Sequence, residues 1–182
     1  MIFPPAAPAS IPVWKTGRYY DFKSSNPATA STGALAANTI YAQLQWFSGQ
    51  PIDRIGTSVT TGAAAGKLLR CGLATMGTDG LPDALLVDSG NLAADGIAGV
   101  EATVAVTPPR GWGWTLLITD GTPTVVSYAI ERMPAILGWS SLTTTTLELC
   151  VTKSQTFGAF PATFGAISSY QSVAYRVAFR IA

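Results

Sequence analysis

The stretch from Leu68 to Ala74 alternates strictly. Leu69, Cys71 and Leu73 fall on one face, and Leu68, Arg70, Gly72 and Ala74 on the other. A period of two belongs to an extended strand with one face buried, and it fits antiparallel pairing. This strand lies inside a unit from Gln50 to Ser89 that reads strand, turn, strand, turn, strand. Gly62 to Gly66 carries almost no side-chain bulk and suits a hairpin connection between the first two strands. Asp79-Gly80 and Leu81-Pro82 punctuate the second turn.

The same alternation recurs along the chain. Ile40, Ala42, Leu44 and Trp46 alternate with Tyr41, Gln43 and Gln45. Val100, Ala102, Val104 and Val106 alternate with Glu101, Thr103, Ala105 and Thr107. Trp112, Trp114, Leu116 and Ile118 share a face, Val125 to Ile130 is extended, and Thr146 to Val151 reads as a strand. The chain closes with Val173, Tyr175, Val177, Phe179 and Ile181 alternating with Ala174, Arg176, Ala178 and Arg180. Strands at spacings of roughly 10 to 20 residues, with no 3.6-residue period anywhere, predict an all-β fold, an antiparallel β-sandwich or barrel. The closing strand is long and is expected in the interior of a sheet, because an exposed edge of that length invites aggregation. Leu69, Cys71, Leu73, Val104, Trp114, Leu116, Val177 and Phe179 are expected to be buried between two sheets.

Residues 1–38 read differently. Pro4, Pro5, Pro8, Pro12 and Pro27 disfavour both helix and central strand. Trp14, Tyr19, Tyr20 and Phe22 are interleaved with charges, and Ser24 to Asn38 is small and polar. The expectation is an extended N-terminal arm and linker over 1–38, and a sandwich domain over 39–182. Charged residues make up only 12 % of the chain, about half the usual share, which suits a surface that meets other protein. Residues 132–170 are less regular and display further aromatics. Trp14, Tyr19, Tyr20, Phe22, Phe157, Phe160 and Phe164 are therefore assigned to an interface with other subunits or partner proteins.

Other chemistry is sparse. The chain has no histidine, which removes Ser-His-Asp and Cys-His nucleophile pairs and any His-based zinc site. Cys71 and Cys150 are too few for a Cys-only zinc site and read as buried, reduced, structural thiols. Gly62 to Lys67 has the wrong spacing for a phosphate loop. The carboxylates, Asp53, Asp79, Asp83, Asp88, Asp95, Glu101, Asp120, Glu131 and Glu148, would form a glycosidase pair only if the fold brought two together in a cleft. Asp79 and Asp120 each precede glycine and read as turn caps. Asp79 and Asp83 lack the dense acidic loop of a calcium site. Arg54 is expected to pair with a nearby carboxylate. Trp139 is the tryptophan best placed for a glycan contact. No catalytic, cofactor or metal residue is assigned. A net charge of +1 gives no pull toward nucleic acid. No apolar run reaches the ~18 residues of a membrane helix, and Met1 to Pro8 lacks the basic start of a secretion signal.

A set of turn and core signatures carries a resemblance: Ile52-Asp53-Arg54-Ile55-Gly56, Val59-Thr60-Thr61, Arg70-Cys71-Gly72-Leu73, Asp79-Gly80-Leu81-Pro82, Leu85 to Gly90, Gly99-Val100-Glu101 and Gly111-Trp112-Gly113-Trp114. Over about residues 39 to 130 the chain resembles the jelly-roll domain of tail fibres, appendages and head-decoration proteins of tailed bacteriophages. The resemblance implies a jelly-roll wiring and a non-enzymatic structural component located in the virion. It also implies a homotrimer packed around a threefold axis, bound to capsid, neck or tail proteins. The short chain favours a compact decoration, neck or adaptor protein attached through its arm. A module that binds host-surface glycan is the alternative, and a polysaccharide-degrading enzyme ranks third.

Overall fold

The computed structural model describes residues 14–21, 31–128, 148 and 150–182. Every regular element among them is a strand: β1 (Tyr19–Tyr20), β2 (Ser31–Ala34), β3 (Thr39–Phe47), β4 (Ile52–Thr61), β5 (Leu68–Met76), β6 (Pro82–Asp88), β7 (Leu92–Ala93), β8 (Ala98–Val106), β9 (Gly111–Thr119), β10 (Thr124–Tyr128), β11 (Cys150–Ser154), β12 (Ser169–Gln171), β13 (Ala174–Tyr175) and β14 (Ala178–Ile181). They form two antiparallel sheets. The first runs β1-β14-β4-β10-β13, with β8 along the other edge of β4 and β2 on β10. The second runs β12-β11-β3-β9-β5-β6, with β7 also on β5. The expected β-sandwich is therefore the fold.

Between the sheets, the face of β5 singled out above, Leu69, Cys71 and Leu73, meets Tyr41, Phe47, Leu117 and Cys150 of its own sheet. Against them pack Ile52, Ile55, Val59, Val125, Phe179 and Ile181 of the first sheet. Sheet-on-sheet packing of alternating strands gives this layer directly.

A second apolar cluster was not expected. Ile40, Ala42, Leu44, Ala74, Trp114, Leu116, Ile118 and Val151 lie on the outer face of the second sheet, where Phe160 and Phe164 cover them. Trp114 and Leu116 thus belong to an outer layer and not to the space between the sheets. Trp112, at the rim of that layer, is 44 % exposed and edge-on to Trp46, 5.5 Å between ring centroids. Val104 is only half-buried, because β8 is an edge strand with one neighbour.

Two connections also differ from the sequence reading. The Gly62–Gly66 stretch crosses from β4 in the first sheet to β5 in the second, so it is not a hairpin. It is also tied down: Ala63 N donates to Ala94 O at 2.8 Å, and Gly66 N donates to the Asp95 carboxylate at 2.9 Å. The β5–β6 turn is the true hairpin, closed by Gly77 N on Leu81 O with Gly80 at φ +81°. The closing stretch divides into β13 and β14 as it passes from β10 to β4. There the Arg176 amide donates to Val126 O at 2.9 Å. β14 lies between β1 and β4, in the interior of its sheet.

The described residues before Thr39 join the sandwich. β1 pairs with β14, Tyr19 opposite Arg180, and β2 pairs with β10, Thr32 opposite Val126. Trp14 stacks on Tyr20 at 4.8 Å and tilts onto Phe179 at 5.3 Å. The backbone of Trp14 is clamped by the Gln50 side chain, which accepts from its N–H at 2.8 Å and donates to its carbonyl at 2.9 Å. Two aromatic contacts and two short ladders thus tie the described residues of 14–34 to the sandwich.

Candidate binding surface

The outward face of the first sheet collects three ion pairs, Arg54–Glu101, Arg176–Asp21 and Arg180–Asp53. The register sets Tyr19, Arg180, Arg54 and Thr103 in one row across β1, β14, β4 and β8. Alternation in the closing strand sends Phe179 and Ile181 inward and Arg180 outward, so the row follows from the sequence period.

Its members hold one another. Arg180 donates to both oxygens of Asp53, Nε to Oδ1 at 2.9 Å and Nη2 to Oδ2 at 2.7 Å. That fork keeps the Asp53 carboxyl below its ordinary range and raises the Arg180 guanidinium. Arg180 also lies over the Tyr19 ring, 6.0 Å from its centroid. The Tyr19 hydroxyl donates to the Glu101 carboxylate. This bond to an anion raises the phenol, with burial and the Glu101 charge acting in the same direction. Arg54 donates to Thr103 Oγ1 and stands 3.8 Å from Glu101. At the next turn of the surface Arg176 pairs with Asp21 at 3.1 Å, and Asp21 accepts from the Tyr128 hydroxyl.

Beside this lattice lies a groove of about 320 Å³. Small residues make its floor: Gly56, Ser58, Gly99 and Ala178. Tyr19, Glu101 and Arg176 stand along it. Gly56 is required there, since a Cβ would sit 2.1 Å from Val100 O and 2.8 Å from Glu101 Cα. The close approach of β4 to β8 and the depth of the groove have the same cause. Tyr19 is 45 % exposed, so its ring offers a flat apolar surface above polar neighbours.

A second depression of about 330 Å³ lies at the β5–β6 turn, with Asp79, Asp83, Thr78 and Thr163 along it. Asp79 Oδ1 accepts from Leu81 N at 3.0 Å, the turn cap expected from the sequence. Asp120 instead accepts from Leu68 N at 2.7 Å, across to β5, and its turn is capped by Thr119 Oγ1, which accepts from Gly121 N at 3.1 Å. Among the described residues no group of three or more His, Cys, Asp or Glu side chains could hold a metal.

The remaining sequence candidates fall elsewhere. Phe160 and Phe164 are buried in the chain's own outer cluster, and Phe157 packs against it. All three, expected at an interface with other subunits or partner proteins, pack on the outer face of the second sheet. Trp14 and Tyr20 are half-buried against the chain's own core, and of the expected aromatic interface Tyr19 alone stands exposed among the described residues of β1. Phe22 and Trp139 lie outside the described residues. Cys71 and Cys150 are buried and unlinked. Burial pushes the Cys150 thiol up to about 12 and Cys71 higher still, Asp88 adding to the latter. The sequence reading missed Gly56, Glu101, Arg176 and Arg180. The alternation of Arg176 and Arg180 with apolar neighbours was the available signal for the last two. No protein-family model matches the chain, and no curated protein matches it.

Proposed function

We propose that the chain is a non-enzymatic structural component of a tailed-bacteriophage virion, a compact jelly-roll module of a decoration, neck or tail appendage. The chain's repeated crossing between sheets, with β3, β5, β6, β7 and β9 in one and β4, β8 and β10 in the other, supports jelly-roll wiring. The observation that carries the reading is the pairing of four carboxylates along the two sheets with cations. Asp53, Asp88 and Glu101 each face an arginine, and Asp120 faces Lys67. Acid–base catalysis needs carboxyls tuned away from each other, whereas a lattice of opposed charges holds a surface in shape. Attachment to the particle through the N-terminal arm is part of the same proposal. Mass spectrometry of purified particles is the test: the chain is expected at fixed stoichiometry, and its absence from particles refutes the proposal.

The groove favours a second reading, a glycan-binding module. An exposed tyrosine ring stacks on the apolar face of a sugar, and Glu101, Arg176 and Ser58 supply hydrogen-bonding partners along a floor of small residues. A glycan array with wild type and Tyr19→Ala decides it: binding lost in the variant is expected, and no binding by either protein removes the reading.

A further inference from the structure

We infer that the chain self-associates through β8, edge to edge with a second copy about a twofold axis, and that this joins the two first sheets into one. Among the described residues β8 pairs with β4 alone. Among the described residues no strand pairs with the other edge of this nine-residue strand. Natural edges of this length are guarded by charges, proline or bulges; residues 97–106 contain no Lys, Arg or Pro, and the straight stretch of β8 before its bulge carries Glu101 as its one charge. Ile97, at the entry to the strand, is 77 % exposed.

The register follows from the strand itself. Ala98 to Thr103 pairs regularly with Val59 to Arg54, and then the ladder shifts, with Thr103 opposite Arg54 but Val106 opposite Ile52. That bulge at Val104–Ala105 ends the straight stretch. An isologous antiparallel pair needs its axis to pass through a residue, so that like faces meet. Centred on Val100, the pairs are Ile97 with Thr103, Ala98 with Ala102 and Gly99 with Glu101. Branched side chains meet branched ones, small meets small, and the one long charged side chain meets a glycine. A centre on Glu101 would set two carboxylates against each other, and a centre on Ala102 would run the partner across the bulge. This self-complementarity selects a second copy as the occupant. Gly99, Val100 and Glu101 also border the groove, so pairing sets two grooves side by side on one continuous face, a bivalent arrangement.

Gly99 provides the test, because a Cβ there meets nothing within 4 Å and the monomer tolerates substitution. Sedimentation velocity of the full chain is expected to show a dimer. Gly99→Glu opposes two pairs of carboxylates across the axis and should weaken the dimer about tenfold. Gly99→Lys opposes lysine to Glu101 twice and should tighten it by a similar factor, and high salt should shrink both effects. Unchanged melting temperatures show that each variant is folded, and Gly99→Lys alone carries the test if Gly99→Glu is not. A concentration-independent monomer overturns the inference. So does a trimer that neither substitution moves.

Discussion

Asp88 is the residue whose loss should open the outer layer. It ends β6, and its two oxygens accept four hydrogen bonds: Arg70 Nε at 3.0 Å, Arg70 Nη2 at 3.0 Å, Gly90 N at 2.9 Å and Phe160 N at 3.0 Å. The last of these ties the segment that covers the second sheet to the sheet edge. Both side chains of the Arg70–Asp88 pair are 16 % exposed, so solvent screens the pair only in part. In Asp88→Ala the guanidinium keeps Asn91 Oδ1 at 2.8 Å and loses its carboxylate. One-sided removal from a buried pair costs about 3–5 kcal/mol, and partial exposure favours the lower end, about 3 kcal/mol. In a domain of this size that lowers the melting temperature by roughly 6–12 °C. The assay is calorimetry together with hydrogen exchange. The amides of Phe160, Phe164 and Leu85, the latter two bonded to Asp83 O and Ala162 O, should exchange faster than those of β4. Asp88→Asn keeps an acceptor and should recover part of the loss. A shift under about 2 °C with unchanged protection at Phe160 would refute the reasoning.

Three further outcomes are expected. Trp114→Ala removes a fully buried ring from the outer cluster and should cost about 3–5 kcal/mol; a denaturant melt unchanged from wild type contradicts the packing. Gly56→Val drives a side chain into the β8 backbone, 2.1 Å from Val100 O at its Cβ, and should cost about 1–3 kcal/mol through strand separation, read by the same melt. Cys71 and Cys150 should resist thiol reagents until the chain unfolds. Burial raises both thiols above their ordinary 9.0, so the folded state holds protons that the unfolded chain releases. Stability from this source is complete below pH 9.0 and falls as pH rises toward about 12 for Cys150; a flat stability profile between those values contradicts the assigned burial.

Periodicity made strands legible but not layers. The face Trp114, Leu116, Ile118 was readable as buried, and it is. Yet β9 is buried on both faces, because residues far along the chain fold over its outer side, and no local pattern announces that cover. The Gly62–Gly66 stretch was legible as a connection, while the sheet that each flanking strand joins depends on partners distant in sequence. Phe160 and Phe164 read as surplus aromatics for a partner because the apolar face they cover lies mostly on β3, β5 and β9, over 40 residues away in the chain. The site shows the same division. Arg176 and Arg180 alternate with apolar neighbours and so point outward, but the contact of Tyr19 with Glu101 joins residues 82 apart.

The two sheets differ in what they leave to solvent, and the difference bears on the glycan-binding reading proposed above. The second sheet has an apolar cluster on its outer face as well as between the sheets. The first keeps a polar outer face, where Arg54 faces Glu101, Arg180 faces Asp53 and Arg176 faces Asp21. Each cation there already has its counter-ion within 4 Å. A phosphate or an acidic peptide would have to displace a carboxylate to reach a guanidinium, losing about as much as it gains. A neutral polyhydroxylated ligand needs no displacement, because the remaining lone pairs of Glu101 and the Ser58 hydroxyl serve it while Tyr19 covers its apolar side. Of the ligands that such a face can take, the geometry therefore favours a neutral saccharide, whose binding should be nearly indifferent to salt; affinity that falls steeply with ionic strength would point instead to an anion.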